Sequence, residues 1–115
     1  MDERLGPLER IRKKKDFFLL YKKGKRYRGR YFNLIYLSSA SKLSRVAVVV
    51  SKKTGNAVKR NKIKRRMRSL FRRNKDLFNK PLDIIIIAKK EICEATWPQI
   101  QQEYMAALKS IRQKT

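Results

Sequence analysis

Between Lys52 and Arg73 the chain carries eleven lysines and arginines and no acid. Four apolar residues recur within that stretch: Ile63, Met67, Leu70 and Phe71. Their spacing aligns them along one side of an α-helix. Such a helix can dock on a protein body only along that stripe, because every other direction presents charge. The fold must therefore supply one apolar surface beneath it and leave the opposite side to water or to an anion. A basic helix anchored in this way is suited to gripping phosphates.

The remaining composition points the same way. The chain has 115 residues, the size of one domain, so residues 1–115 are expected to form a single unit, with 1–10 mobile and Leu5, Leu8 and Ile11 packing as a flap. Its net charge is +23, which makes a compact state repel itself and favours a bound polyanion. Nucleic acid is the first choice of polyanion and an anionic membrane surface the second. The longest apolar run, Ile84 to Ala88, has the length of a strand and not of a membrane span. A single cysteine, Cys93, excludes an internal disulfide and favours the cytoplasm. With no histidine and one cysteine, the usual zinc sites and the Ser-His and Cys-His nucleophile pairs are excluded. The nine carboxylates are scattered, so neither a catalytic nor a metal-binding residue is assigned.

Periodicity gives the order of elements. Residues 15–23 read as a helix with Phe17, Leu20 and Tyr21 on one side and Gly24 at its C-terminal stop. Residues 29–37 read as a strand, with Phe32, Leu34 and Tyr36 on one face and Tyr31, Asn33 and Ile35 on the other. A turn and a second strand over 45–51 predict a hairpin. Asn56 is an expected N-cap for a helix from Ala57 to about Arg73. On that helix Arg65 and Arg72 point away from the apolar stripe, and Arg60 falls at its edge, close to the sheet. Leu82–Ala88 reads as a buried strand. Thr96 and Gln99 form a capping box for a last helix to about Arg112, with Trp97, Ile100, Tyr104, Ala107, Leu108 and Ile111 inward. The order helix, strand, strand, helix, strand, helix predicts an α+β fold with a small mixed sheet. Cys93 and Trp97 are read as structural and Phe18 as core.

Lys52-Lys53-x-Gly55-Asn56-Ala57-Val58-x-Arg60-Asn61-Lys62-x-Lys64-Arg65, followed by Arg68 and Phe71, resembles the signature of the bacterial ribonuclease P protein subunit, with Lys62 where a second arginine is more common. Asp16-Phe17, Tyr21, Gly24, Arg45-Val46 and Asp83 to Ile86 with Ala88 lie in the family's order around it, so the resemblance spans roughly residues 8–111. It implies a ribonucleoprotein endonuclease that removes the 5′ leader of precursor tRNA, in which the RNA is the catalyst and uses magnesium. The protein is expected to bind no cofactor of its own and to need no protein partner or membrane. It also implies a left-handed βαβ crossover around the signature helix, against the right-handed rule obeyed in about 98% of cases.

The resemblance, with the dense charge, assigns Arg60, Asn61, Lys62, Lys64, Arg65, Arg66 and Arg68 to the catalytic RNA. The cations would take phosphates; Asn61 would meet a base edge or a 2′-hydroxyl, or tie the helix to a loop. The leader of the precursor tRNA is assigned to Phe17, Tyr21, Tyr31, Lys53 and Arg60, with the aromatics stacking on bases whatever their sequence. Family members often carry an aromatic where this chain has Ile35, and can carry a small polar residue where it has Val49; Asn33, Ile35 and Val49 are not assigned as specific contacts. The competing expectations are a ribosomal or other structural RNA-binding protein, which would share the charge and the small α+β build, and a membrane-surface or DNA-compacting protein, whose binding would ignore RNA shape.

Overall fold

The structure, a computed structural model, describes residues 9–115. Its elements are α1 (Lys14–Lys23), β1 (Lys25–Arg28), β2 (Phe32–Ser38), β3 (Arg45–Val50), α2 (Ala57–Asn74), β4 (Leu82–Ala88) and α3 (Trp97–Lys114), with 3-10 turns at Lys52–Thr54, Lys75–Leu77 and Lys90–Glu94. The α+β class with a small mixed sheet holds, with one more strand than the sequence predicted. β1 escaped notice because three of its four residues are cationic. As an edge strand it needs only one neighbour, and exposed cations suit an edge.

The expected hairpin of β2 and β3 does not form. The sheet order is β1-β2-β4-β3. β4 lies between them, antiparallel to β2 and parallel to β3. Its unbroken apolar run explains the choice, since all but one of its seven residues are buried and only a central position offers that burial. The N-terminal segment covers the outer edge of β3: Arg10 bridges Val46, and the Ile11 N–H donates to the Val46 carbonyl at 3.0 Å. Glu9 pairs with Lys75 at 3.0 Å, whereas the flap residues Leu5 and Leu8 lie outside the described residues.

Strand alternation divides the core in two. One face carries Phe32, Leu34, Tyr36, Val46, Val48, Val50, Leu82, Ile84 and Ile86, and α2 and α3 cover it with Met67, Leu70, Phe71, Ile100, Tyr104, Leu108 and Ile111. The other face carries Ile35 and Ile85, covered by Ile11 and by Leu20 of α1. Both helix caps are as expected. Asn56 Oδ1 accepts from the Lys59 N–H at 2.9 Å; Thr96 and Gln99 cap each other at 3.3 and 2.9 Å. Gly24 ends α1 in an extended conformation and not a left-handed one. Glycine is needed there for close packing, since a Cβ would strike Ile35 and the Leu20 carbonyl.

Candidate nucleic-acid interface

The stripe of α2 docks as its pattern requires. Met67, Leu70 and Phe71 are buried, Ile63 is half-buried, and Asn61, Lys62, Arg65 and Arg66 are exposed. Among the described residues, no ion pair involves any cation from Lys59 to Arg68. Arg60 and Arg68, on the side toward the edge of β3, are only partly exposed. The Nε atoms of Arg60 and of Arg10 are buried with no hydrogen-bond partner among the described residues. Burial, and secondarily the nearby Arg10 charge, holds the Arg68 guanidinium below its usual range. A buried guanidinium nitrogen left without an acceptor is unfavourable unless a ligand atom completes it.

The second candidate surface lies on the α1 face of the sheet. Strand register aligns two rows across all four strands. Arg26, Ile35, Ile85 and Ala47 form one, and Arg28, Asn33, Ile87 and Val49 the other. α1 sits over the first row and buries Ile35 and Ile85. The second row stays accessible, with Asn33, Ile87 and Val49 half-buried and Arg28 exposed. A recess of about 350 Å³ opens there, between Arg26, Arg28, Asn33, Ile35, Ile87 and Lys89. Phe17 is half-buried against this face, and Tyr21 is 42% exposed beside it. Lys53 is exposed on the turn after β3, at the end of the sheet where this row lies.

An ion network fixes α1 above the sheet. Arg45 of β3 grips Asp83 of β4 with two hydrogen bonds of 2.9 and 2.7 Å and reaches Asp16 of α1 at 3.4 Å. Asp16 immediately precedes Phe17, so the network sets the start of the helix that carries the aromatic pair. Past the other end of α1, Arg26 donates to the Tyr21 carbonyl at 2.9 Å.

Tyr31 does not belong to this surface. It precedes β2, is buried in the other core, and gives its N–H to Glu103 of α3. Strand alternation begins at Phe32, which is why extrapolating it back to Tyr31 assigned the wrong face. Phe18 likewise departs from its expected core place: it is 66% exposed, with the Lys22 ammonium 5.7 Å from its ring. The residues sequence reasoning missed are Arg26, Arg28 and Lys89. The signal was present in Lys25-Arg26-Tyr27-Arg28, where the half-buried Tyr27 alternates with cations.

The family model for ribonuclease P matches residues 5–112. The chain belongs to the ribonuclease P protein family. The ribonuclease P protein component of Thermotoga maritima is 39% identical over 94 residues, 82% of this chain and 80% of that one. That of Desulfatibacillum aliphaticivorans is 42% identical over 90 residues, 78% and 76% of the two chains. Among solved structures, the Thermotoga maritima ribonuclease P protein superimposes with a TM-score of 0.79 at 34% identity, covering 90% of this chain and 97% of its own. The Staphylococcus aureus protein gives 0.81 at 39%, covering 88% and 93%. The role of the ribonuclease P family is tRNA 5′ maturation by a ribonucleoprotein endonuclease, with the ribonuclease P RNA as the protein's partner.

Proposed function

We propose that this chain acts within ribonuclease P as a two-sided clamp: α2 holds the catalytic RNA, and the α1 face of the sheet holds the 5′ leader of precursor tRNA. The observation that carries the reading is the run of cations from Lys59 to Arg68, in no ion pair among the described residues, with buried guanidinium nitrogens at Arg60 and Arg10 that lack a hydrogen-bond partner there. Arg60, Lys62, Lys64, Arg65, Arg66 and Arg68 take phosphates, and Asn61 lies among them on the exposed side. Phosphate contacts of this kind position the protein and give affinity more than sequence choice.

On the other side, Tyr21 and Phe17 offer rings to leader bases, while Arg28, Lys89 and Lys53 take the backbone. Stacking tolerates any base, as a variable leader requires. The chemistry belongs to the RNA. The magnesium it requires is held by the RNA. A structural ribosomal role is not favoured, because the family match extends over most of the chain.

The test is cleavage of a precursor tRNA by a bacterial ribonuclease P RNA at limiting magnesium, with and without this protein. The protein should accelerate leader removal in the mixture and cleave nothing alone. Cleavage by purified protein without RNA, retained in nuclease-free controls, would overturn the assignment of chemistry to RNA.

A further inference from the structure

α2 has a second flank, turned away from the β3 edge and toward the start of α3. Here a pocket of about 180 Å³ opens between α2 and the turn at Lys90–Glu94. Its floor is apolar, built from Ile63, Met67, Ile92, Ala95 and Ile100. Its rim carries Lys59, Lys62 and Arg66, and no carboxylate lines it; Glu91 and Glu94 stand on the same turn outside the lining. The Arg66 guanidinium is held 5.3 Å from the Trp97 ring centroid. A cavity of roughly 150 Å³ is enough to take benzene, so this one has room for a single six-membered ring.

We infer that this pocket takes one unpaired pyrimidine base of the RNA that α2 grips, with the flanking phosphates on Lys59, Lys62 and Arg66. The inference rests on the RNA-binding reading above and adds a subsite to it. Two features select this occupant. An apolar floor with a cationic rim matches an aromatic ring joined to an anion, which is what an unpaired nucleotide presents. The pocket also opens on the helix that carries the phosphate-binding side chains, so a strand following those cations passes its mouth. Unpaired bases are the part of RNA that proteins can enclose in this way.

The pocket can be closed without touching a cation. Ala95 lies on its wall in extended backbone (φ −84°, ψ 143°), which accepts larger and β-branched side chains. Ala95→Leu fills the space, and Ala95→Val fills part of it and serves if the larger variant fails to fold, as judged by thermal melting. Affinity for a bacterial ribonuclease P RNA is measured as a function of salt. Losing an enclosed base returns its apolar surface to water and should weaken binding at least about fivefold. The slope against salt should not change, since no phosphate contact is lost. Arg65→Ala, on the outward side of α2, is the comparison and should lower both affinity and slope.

A second arm uses uridine monophosphate and inorganic phosphate as probes, followed by the methyl NMR signals of Ile63 and Ile92, which both proteins retain. The nucleotide should shift those signals in the wild type and not in Ala95→Leu; phosphate alone should leave them in place. If folded Ala95→Leu binds RNA as the wild type does while Arg65→Ala is weakened, the pocket inference is overturned and the RNA-binding reading stands. If neither substitution affects binding, the RNA-binding reading itself fails. Methyl shifts produced equally by phosphate and nucleotide would reduce the site to a phosphate contact and overturn the claim of an enclosed base.

Discussion

Arg45→Ala is the substitution whose outcome can be worked most fully from the structure. The Arg45 guanidinium is Asp83's counter-ion, through two hydrogen bonds of 2.9 and 2.7 Å. Asp83 is 7% exposed and sits on the central strand, so removing Arg45 leaves a nearly buried carboxylate without a partner. Breaking a buried pair in this way costs about 3–5 kcal/mol. The Arg45 side chain keeps 21% of its exposure, so some solvent screening remains and the lower end, about 3 kcal/mol, applies. At about 4 °C per kcal/mol for a domain of this size, the melting temperature should fall by roughly 12 °C.

Asp16→Ala removes only the 3.4 Å arm of the network, between groups that are each about a fifth exposed. It should cost less than about 1 kcal/mol. Thermal and urea denaturation at matched ionic strength measure both. The double variant Arg45→Met/Asp83→Leu should recover most of the loss, because no charge is then left buried. Equal losses for Arg45→Ala and Asp16→Ala, or a loss below about 1 kcal/mol for the first, would refute the reasoning.

Three further outcomes are expected. Arg65→Ala and Arg68→Ala should each flatten the salt dependence of RNA binding by about one unit of log–log slope, measured by titration across salt concentrations. Tyr21→Ala should weaken leader-bearing precursor by about 1–3 kcal/mol without changing mature tRNA affinity or thermal stability, whereas Phe17→Ala should also cost about 2 kcal/mol of stability, less than the ~3–5 of a fully buried phenylalanine. Tyr104→Phe should leave stability unchanged or raise it by about 1 kcal/mol in denaturant titrations, because the buried Tyr104 hydroxyl has no hydrogen-bond partner among the described residues.

Local signals were legible wherever one element decided its own form. The stripe of α2, the Asn56 cap and the Thr96–Gln99 capping box each depend on residues within a few positions, and each is as the spacing predicted. β4 was legible as a buried strand for the same reason. Its neighbours were not, because pairing depends on competition. β4 outbids β3 for the flank of β2 by being apolar on both faces, a comparison between segments that neither segment displays alone. β1 was hidden by its charge, and with it went Arg26 and Arg28 at the recess on the α1 face of the sheet. Tyr31 was misplaced because alternation was continued one residue beyond the strand. The charged side of α2 was the most readable part of the site, since a dense cationic run without acids constrains its partner before any fold is known.

The central position of β4 has a consequence for how the chain assembles. Every pairing that joins the two halves of the sheet passes through residues 82–88. Until that segment is available, β3 has no strand beside it, and α2 has only part of the surface meant for its apolar stripe. A growing chain therefore exposes its most basic helix before the body that should hold it can close. Pairings so distant in sequence are slow to form, and a chain stopped before residue 82 lacks the strand that would join β3 to the rest of the sheet. During that interval the most cationic segment is also the one least restrained, so polyanions in the surroundings can reach it while folding is still in progress. Nascent-chain protease protection should accordingly appear in one step once residues past 88 are clear, and RNA added earlier should change its timing.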